Sequence, residues 1–172
     1  PAAVATIAEH APQCGKTAIV VQDCPGFLVN RILLTYMNEA ARCLTEGGDL
    51  REIDRIITRY GMPMGPFVLT DEVGIDVGHK VAKILHEGYG ERMAVAPLLA
   101  KVHDEMKLLG TKSGKGFYLH EGKKLVINPD IDAAIAGTQD DLGLTPRTLG
   151  SAEILDRCLL MLVNEAARCI DE

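Results

Sequence analysis

The apolar and polar positions divide the chain into one short apolar run followed by a series of amphipathic segments. Thr17-Ala-Ile-Val-Val-Gln22 is β-branched and apolar, bounded by Gly15 and by Asp23-Cys-Pro-Gly26, and predicts a buried strand. Before it, Pro1 to Ala11 is Ala-rich and predicts a short helix that Pro12-Gln-Cys-Gly15 breaks. Pro25 cannot continue a strand ladder and Gly26 relaxes the backbone, so the chain is expected to turn there. Phe27 to Glu46 contains neither Pro nor Gly and is rich in Leu, Met, Ala, Glu and Arg, which predicts a helix of roughly five turns. On that helix Asn30, Leu34, Met37 and Ala41 share one stripe, while Arg31, Thr35, Asn38 and Arg42 form a polar one. Asn30 is thus an amide on an otherwise apolar face. A buried amide without partners costs about 1–3 kcal/mol, so it is expected to bond either to the protein or to a ligand. On the residues alone, an Asn that holds the turn ranks ahead of a catalytic one.

Downstream the periodicity is mostly architectural. Asp49-Leu-Arg-Glu52 has capping-box spacing and opens a helix with Leu50, Ile53, Ile57 and Tyr60 inward and Gly61 at its end. Met62-Pro-Met-Gly-Pro-Phe67 is then a rigid loop. Asp76 is expected to cap a helix with Val77, Val81, Ile84 and Leu85 inside, and Pro97 to start one running through Leu98, Val102, Met106 and Leu109 to Gly110. Phe117 to His120 and Leu125 to Ile127, joined by Glu121-Gly-Lys-Lys124, predict a hairpin. Pro129 to Ile135 predicts a short helix and Gly137 to Thr145 a linker. The segment from Pro146 to Glu172 then repeats an earlier one: Asn38-Glu-Ala-Ala-Arg-Cys43 recurs as Asn164-Glu-Ala-Ala-Arg-Cys169, with Arg31, Leu33 and Leu34 matching Arg157, Leu159 and Leu160. Asp156 stands where the first copy has Asn30. An ionised carboxylate donates no hydrogen bond, so the second copy keeps its apolar face (Leu159, Leu160, Val163, Ala167, Ile170) without the amide chemistry.

Composition narrows the function classes. With 172 residues, 47% of them hydrophobic, and a formal charge of −6, the chain can bury a core and has no basic surplus for nucleic acid. Five Cys in no Cys-x-x-Cys arrangement are expected to be reduced packing thiols, neither disulfides nor zinc ligands. Thr111-Lys-Ser-Gly-Lys-Gly116 has the wrong Gly spacing for a phosphate loop and follows a helix, which rules out a nucleotide triphosphate site. No Gly-x-Gly-x-x-Gly turn follows a strand, so the chain has no dinucleotide fingerprint. Pro1 is followed by no charged n-region and apolar h-region, so a signal peptide is not expected; a fragment trimmed from a longer protein is the simplest account.

The ordered series Asp23-Cys-Pro-Gly-Phe-Leu-Val-Asn-Arg31, Tyr36-Met-Asn-Glu-Ala40, Tyr60-Gly-Met-Pro-Met-Gly-Pro-Phe67, Asp71-Glu-Val-Gly-Ile-Asp76 and Lys112-Ser-Gly-Lys-Gly-Phe-Tyr118 resembles the C-terminal domain of NAD-dependent 3-hydroxyacyl-CoA dehydrogenases. The resemblance is strongest to the form in multifunctional fatty-acid β-oxidation proteins. It implies a mainly α fold, a helical bundle like the C-terminal domains of 6-phosphogluconate and 3-hydroxyacyl-CoA dehydrogenases, with a residual N-terminal strand and a small hairpin. It further implies that residues 1–22 are the end of a Rossmann domain, 23–136 the C-terminal domain, and 137–172 a linker and first helix of a second, truncated copy.

By the same resemblance Asn30 is the catalytic-site amide that bonds the substrate near its reacting 3-oxygen, with Pro63, Gly65 and Pro66 as substrate-side candidates. Lys112, Lys115, Lys123 and Lys124 could draw an acyl-CoA phosphate, although a solvated basic loop is the first reading. NAD, and the His–Glu pair that acts as general base, belong to the nucleotide-binding domain. The five His here (His10, His79, His86, His103, His120) do not match that pair and are expected to be structural or solvent-facing. The implied reaction is oxidation of 3-hydroxyacyl-CoA to 3-ketoacyl-CoA, with the isolated chain inactive. The partners implied are that substrate, the Rossmann domain and a homodimer mate, in the cytoplasm of a prokaryote or otherwise in mitochondria or peroxisomes. Two alternatives stay open: the helical domain of a short 3-hydroxy acid dehydrogenase, and a non-catalytic helical dimerisation module.

Overall fold

Helix α2 (Val29–Thr45) is the axis of the molecule, in a computed structural model that describes residues 2–122 and 124–172. Leu34, Tyr36, Met37, Ala40, Ala41, Cys43 and Leu44 are all buried, which a helix achieves only when it is covered on most sides. Around it pack α3 (Leu50–Tyr60), α4 (Pro66–Val73), α5 (Ile75–Tyr89), α6 (Pro97–Asp104), α7 (Asp130–Leu142) and α8 (Ser151–Asp171). Strands β1 (Tyr118–Glu121) and β2 (Lys124–Ile127) form the expected antiparallel hairpin, with Tyr118 opposite Ile127 and Glu121 opposite Lys124. Lys123 lies outside the described residues. No described helix is long and apolar enough to cross a membrane.

The expected caps and breaks hold in part. Asp49 caps α3 by accepting from Glu52 N at 2.8 Å, and Gly61 ends that helix with φ +128°. Tyr60, expected inside, is exposed. Helix α5 begins directly after Gly74, which takes the N-cap position, so Asp76 sits in the first turn; the buried positions are Ile75, His79, Ala82 and Leu85, while Val77 and Ile84 face out. Helix α6 ends at Asp104 and the chain kinks through Lys107 at φ +55°, which turns Leu108 inward in place of Leu109. Helix α7 continues to Leu142 and ends on Gly143, so the connection to α8 is shorter than the sequence suggested.

The N-terminal helix α1 (Ala2–His10) forms, but residues 16–24 make no strand. Ile19, Val20 and Val21 are 62%, 71% and 42% exposed. A strand needs an edge to bond to, and the only sheet among the described residues is the β1–β2 hairpin, already paired.

Three residues of the polar stripe of α2, Arg31, Thr35 and Asn38, are also buried. Asn38 donates to Ala94 O at 3.3 Å and accepts from Ala96 N at 3.1 Å, and Thr35 bonds back to Ile32 O at 2.7 Å. Arg31 is covered by α8, the repeat helix, which lies along α2 in a reciprocal arrangement. Arg31 Nε donates to Glu165 at 2.5 Å and Nη2 to Glu172 at 2.6 Å. Its counterpart Arg157 does the same to Glu39 at 2.7 Å and Glu46 at 2.6 Å, and Glu39 and Glu46 are the repeat equivalents of Glu165 and Glu172. The two copies therefore meet as an isologous pair, like with like, about a pseudo-twofold axis.

Candidate functional site

The turn before α2 is fixed from below by α5. Pro25 rests on Gly88, where a Cβ would fall 2.6 Å from the proline ring, and a Cβ on Gly26 would fall 2.6 Å from Leu85 Cδ2. Gly26 has φ +75°, a conformation that favours glycine. Tyr89 Oη donates to Pro25 O at 3.2 Å, and the Arg31 guanidinium lies over the Tyr89 ring at 4.2 Å while donating to its hydroxyl at 3.3 Å. Between these anchors Phe27 is held at φ +49°, rare for a residue with a bulky side chain.

This scaffold places Asn30 on the first turn of α2, exposed and outside the bundle. The expectation of a buried amide is corrected: the apolar stripe it heads becomes buried only from Leu34 onward, because the Asn30 side of the first turn is left uncovered while its Arg31 side lies under α8. Around it the surface is apolar, with Phe27 55% and Val29 64% exposed. A groove of about 530 Å³ beside the turn is lined by Val20, Val21, Cys24, Phe27, Arg31 and Tyr89 among others.

Pro63, Gly65 and Pro66 belong to the connection between α3 and α4. Pro63 is exposed, while Gly65 and Pro66 are buried at the start of α4, where Pro66 occupies the first helical position. Gly65 is needed because a Cβ there would fall 2.2 Å from Asp54 Oδ1. Asp54 caps α4 by accepting from Phe67 N at 2.9 Å, and it also accepts from Tyr118 Oη at 2.6 Å. The surface depression that Gly65 lines, with Asp54, Met64 and Tyr118, shares no residue with the groove beside the Pro25-Gly26 turn, which Asn30 does not line. These three residues thus have a complete architectural explanation. Lys112 and Lys115 are paired with Asp76 and, at 2.6 Å, with Asp130.

Two buried carboxylates escaped the sequence reading. Asp71 accepts from Phe117 N and Tyr118 N, both at 2.9 Å, and meets His120 Nε2 at 2.8 Å, so it ties α4 to the hairpin. Gly116 passes directly over it: a Cβ would lie 2.0 Å from Asp71 Oδ1. Burial raises the Asp71 carboxyl, opposed by the His120 and backbone bonds. Burial likewise pushes Asp54 up to about 6, opposed by Tyr118 and the backbone at Phe67 and Val68. The signal was present in both cases, a lone acid within an apolar helical stripe. His120 is accordingly structural, as expected, and His79 is buried.

The residues present do not fit NAD. Dinucleotide sites of the usual kind use the turn between a parallel strand and a helix, and the described sheet is one antiparallel hairpin.

A sequence model of the family described as 3-hydroxyacyl-CoA dehydrogenase, C-terminal domain, matches residues 26–120, from the glycine of the turn to the hairpin histidine. The chain belongs to this family. The 3-hydroxyacyl-CoA dehydrogenase C-terminal fold accounts for the turn, α2 to α6 and β1 as one unit. Among full-length relatives, the fatty acid oxidation complex subunit alpha of Shewanella amazonensis is 45% identical over the whole chain, which corresponds to 24% of that protein. The chain spans about a quarter of the length of the curated relatives it matches. The crystal structure of an (S)-3-hydroxybutyryl-CoA dehydrogenase from Ralstonia eutropha matches 69% of this chain and 42% of its own with a TM-score of 0.64 and 33% identity. The dehydrogenase part of multifunctional enzyme 1 from C. elegans matches 98% of this chain and 38% of its own, at a TM-score of 0.68 and 27% identity. The C. elegans match thus takes in nearly the whole chain, where the Ralstonia match covers about two thirds.

Proposed function

We propose that this chain is the substrate-side domain of an NAD-dependent 3-hydroxyacyl-CoA dehydrogenase acting in fatty-acid β-oxidation, and that Asn30 is its contribution to the chemistry. The supporting observation is the rigid Pro25-Gly26 turn at the start of the family match, which presents an amide with no side-chain hydrogen-bond partner among the described residues on an exposed apolar rim. An amide Nδ2 donates a hydrogen bond to a 3-hydroxyl or 3-keto oxygen and stabilises negative charge that develops there. Rigid mounting matters because a donor aimed beforehand needs no reorganisation during the reaction. The nucleotide-binding domain of the parent protein holds NAD and the general base and covers the rim formed by Phe27 and Val29. On this reading Pro63, Gly65 and Pro66 act on substrate only through the shape of the α3–α4 turn.

In the parent, α8 opens a second copy of the domain. The outward residues Leu160, Val163, Ala167 and Ile170 are the repeat equivalents of Leu34, Met37, Ala41 and Leu44, which form the core stripe of α2. Further helices of the second copy are expected to cover them. A dimer through the same stripe is the competing arrangement, and light scattering separates the two: a strict monomer of this chain at high concentration excludes the dimer.

The isolated chain is expected to be inactive and not to bind NADH. Incubating it with acetoacetyl-CoA and NADH, and following NADH absorbance, tests this; measurable turnover contradicts the proposal.

A further inference from the structure

Away from Asn30, the contact between α5 and α6 holds a group of side chains that the dehydrogenase reading does not use. His79, on α5, is 7% exposed, and neither of its ring nitrogens has a hydrogen-bond partner among the described residues. Buried polar atoms are ordinarily bonded, so an imidazole with two orphaned nitrogens calls for an explanation. Its ring stacks on that of His103 at 4.2 Å between centroids and 13° between planes. Stacking alone would be served by an apolar ring. What it adds here is a second imidazole, with its own nitrogen donors, held against the first.

Beside the stack is a carboxylate. Asp104 Oδ1 lies 3.5 Å from His79 Nε2, too far for a good hydrogen bond, and 2.7 Å from His103 Nδ1. One donor atom from each of the three residues lies within 4.8 Å of the others. In a tetrahedral zinc site with bonds of about 2.0–2.1 Å, neighbouring donors are about 3.3–3.4 Å apart. The His79–Asp104 separation is already close to that. The His103–Asp104 separation must open by about 0.6 Å on the same scale, which a rotation of the His103 ring supplies. That ring is 26% exposed at the end of α6, and the rotation takes it out of its stack on His79.

We propose that His79, His103 and Asp104 form a binding site for a divalent transition-metal ion of the zinc type, which joins α5 to α6. Two imidazoles and one carboxylate are a donor set suited to such ions, with a fourth position left for water on the exposed Asp104 side. The ion takes up the unpartnered His79 nitrogen and replaces the proton between His103 and Asp104. The exposed Lys83 ammonium nearby is a like charge that can swing into solvent. Because α5 also carries Leu85, Gly88 and Tyr89, the ion would stiffen the support under the Pro25-Gly26 turn.

The test is titration of the metal-free chain with Co²⁺, read by visible absorption, and with Zn²⁺, read by calorimetry. The expected result is one saturable equivalent with a d–d spectrum of nitrogen and oxygen ligation. Affinity should fall at least about tenfold in His103→Gln and in Asp104→Asn. Both positions are partly or fully exposed, so the variants are expected to unfold like the parent chain in the absence of metal; His79→Gln, at a buried position, serves as the third variant. Zn²⁺ should also raise the unfolding temperature of the parent chain and not of Asp104→Asn. Absence of saturable binding overturns the proposal. So does binding that survives both exposed-site variants, or that shows a thiolate charge-transfer band and is lost in His10→Gln, since His10 Nε2 and Cys14 Sγ lie 3.5 Å apart at the end of α1.

Discussion

Gly26 carries two constraints at once, a positive φ and a Cβ position occupied by Leu85. Gly26→Ala is therefore expected to destabilise the chain by more than the roughly 1 kcal/mol that such a replacement gains at a compatible position, and to tilt the first turn of α2 so that Asn30 is mis-aimed. Urea unfolding reads the first effect and the activity of the full-length protein the second; a variant neutral in both contradicts the rigid-turn account. Asp54 gives a pH signature. Its folded value of about 6 lies above the ordinary value of 3.8, so the stability it contributes is present at low pH and is lost as pH rises through 6. Asp54→Asn should therefore gain on the parent chain by up to about 3 kcal/mol between pH 4 and pH 7; parallel pH profiles would show that the carboxyl is not strained. At this scale the sequence was a partial guide. Asn30 could be singled out because its type broke a pattern, yet its exposure could not be foreseen, since exposure depends on which side of the first turn of α2 is left uncovered.

Helices α2 and α8 show what pairing adds to pattern. Arg31 and Glu165 are each about 5% exposed in their side chains, so removing one charge leaves the other buried. Glu165→Gln leaves the buried Arg31 with only the partly exposed Glu172 as its partner and is expected to destabilise the chain by less than the ~3–5 kcal/mol of a wholly uncompensated charge, and Arg157→Gln, at a site 23% exposed, by less again. Chemical denaturation of both variants checks the order; equal losses would mean that burial does not set the cost. The repeat itself was legible as identical residues at matching spacing. Its reciprocal ion pairs were not, because Arg31 finds Glu165 134 positions along the chain and nothing local marks the partner. The same partner explains why Arg31 is buried, while Asn38 is buried through its bonds to Ala94 and Ala96. The missing strand at 17–22 is the opposite case: its composition suits a strand, but pairing requires a sheet edge, and among the described residues none is available. The outward stripe of α8 makes a further prediction. Leu160→Glu and Ile170→Glu together should leave the unfolding of this chain within about 0.5 kcal/mol, and should destabilise the full-length protein, where a second copy would cover them. Equal effects in both contexts would argue against that arrangement.

For the molecule as a whole, the family match, the helical architecture and the hairpin agree with the order of motifs in the sequence, because those motifs are turns and caps whose chemistry is local. Gly65, Gly110 and Gly116 pack against the carboxylates or backbone of Asp54 and Asp71 and fix how α3, α4 and the hairpin meet. On the proposed reading the substrate chemistry is a property of a larger assembly, since Asn30 lies on a rim and no NAD-binding turn is present among the described residues. The central claim is that this rim supplies a hydrogen-bond donor to the 3-oxygen of a 3-hydroxyacyl-CoA. Its most direct test is steady-state reduction of acetoacetyl-CoA by NADH with the full-length protein and its Asn30→Ala variant. The account predicts a kcat lower by about 10²–10³-fold with little change in KM; an unchanged kcat would contradict it.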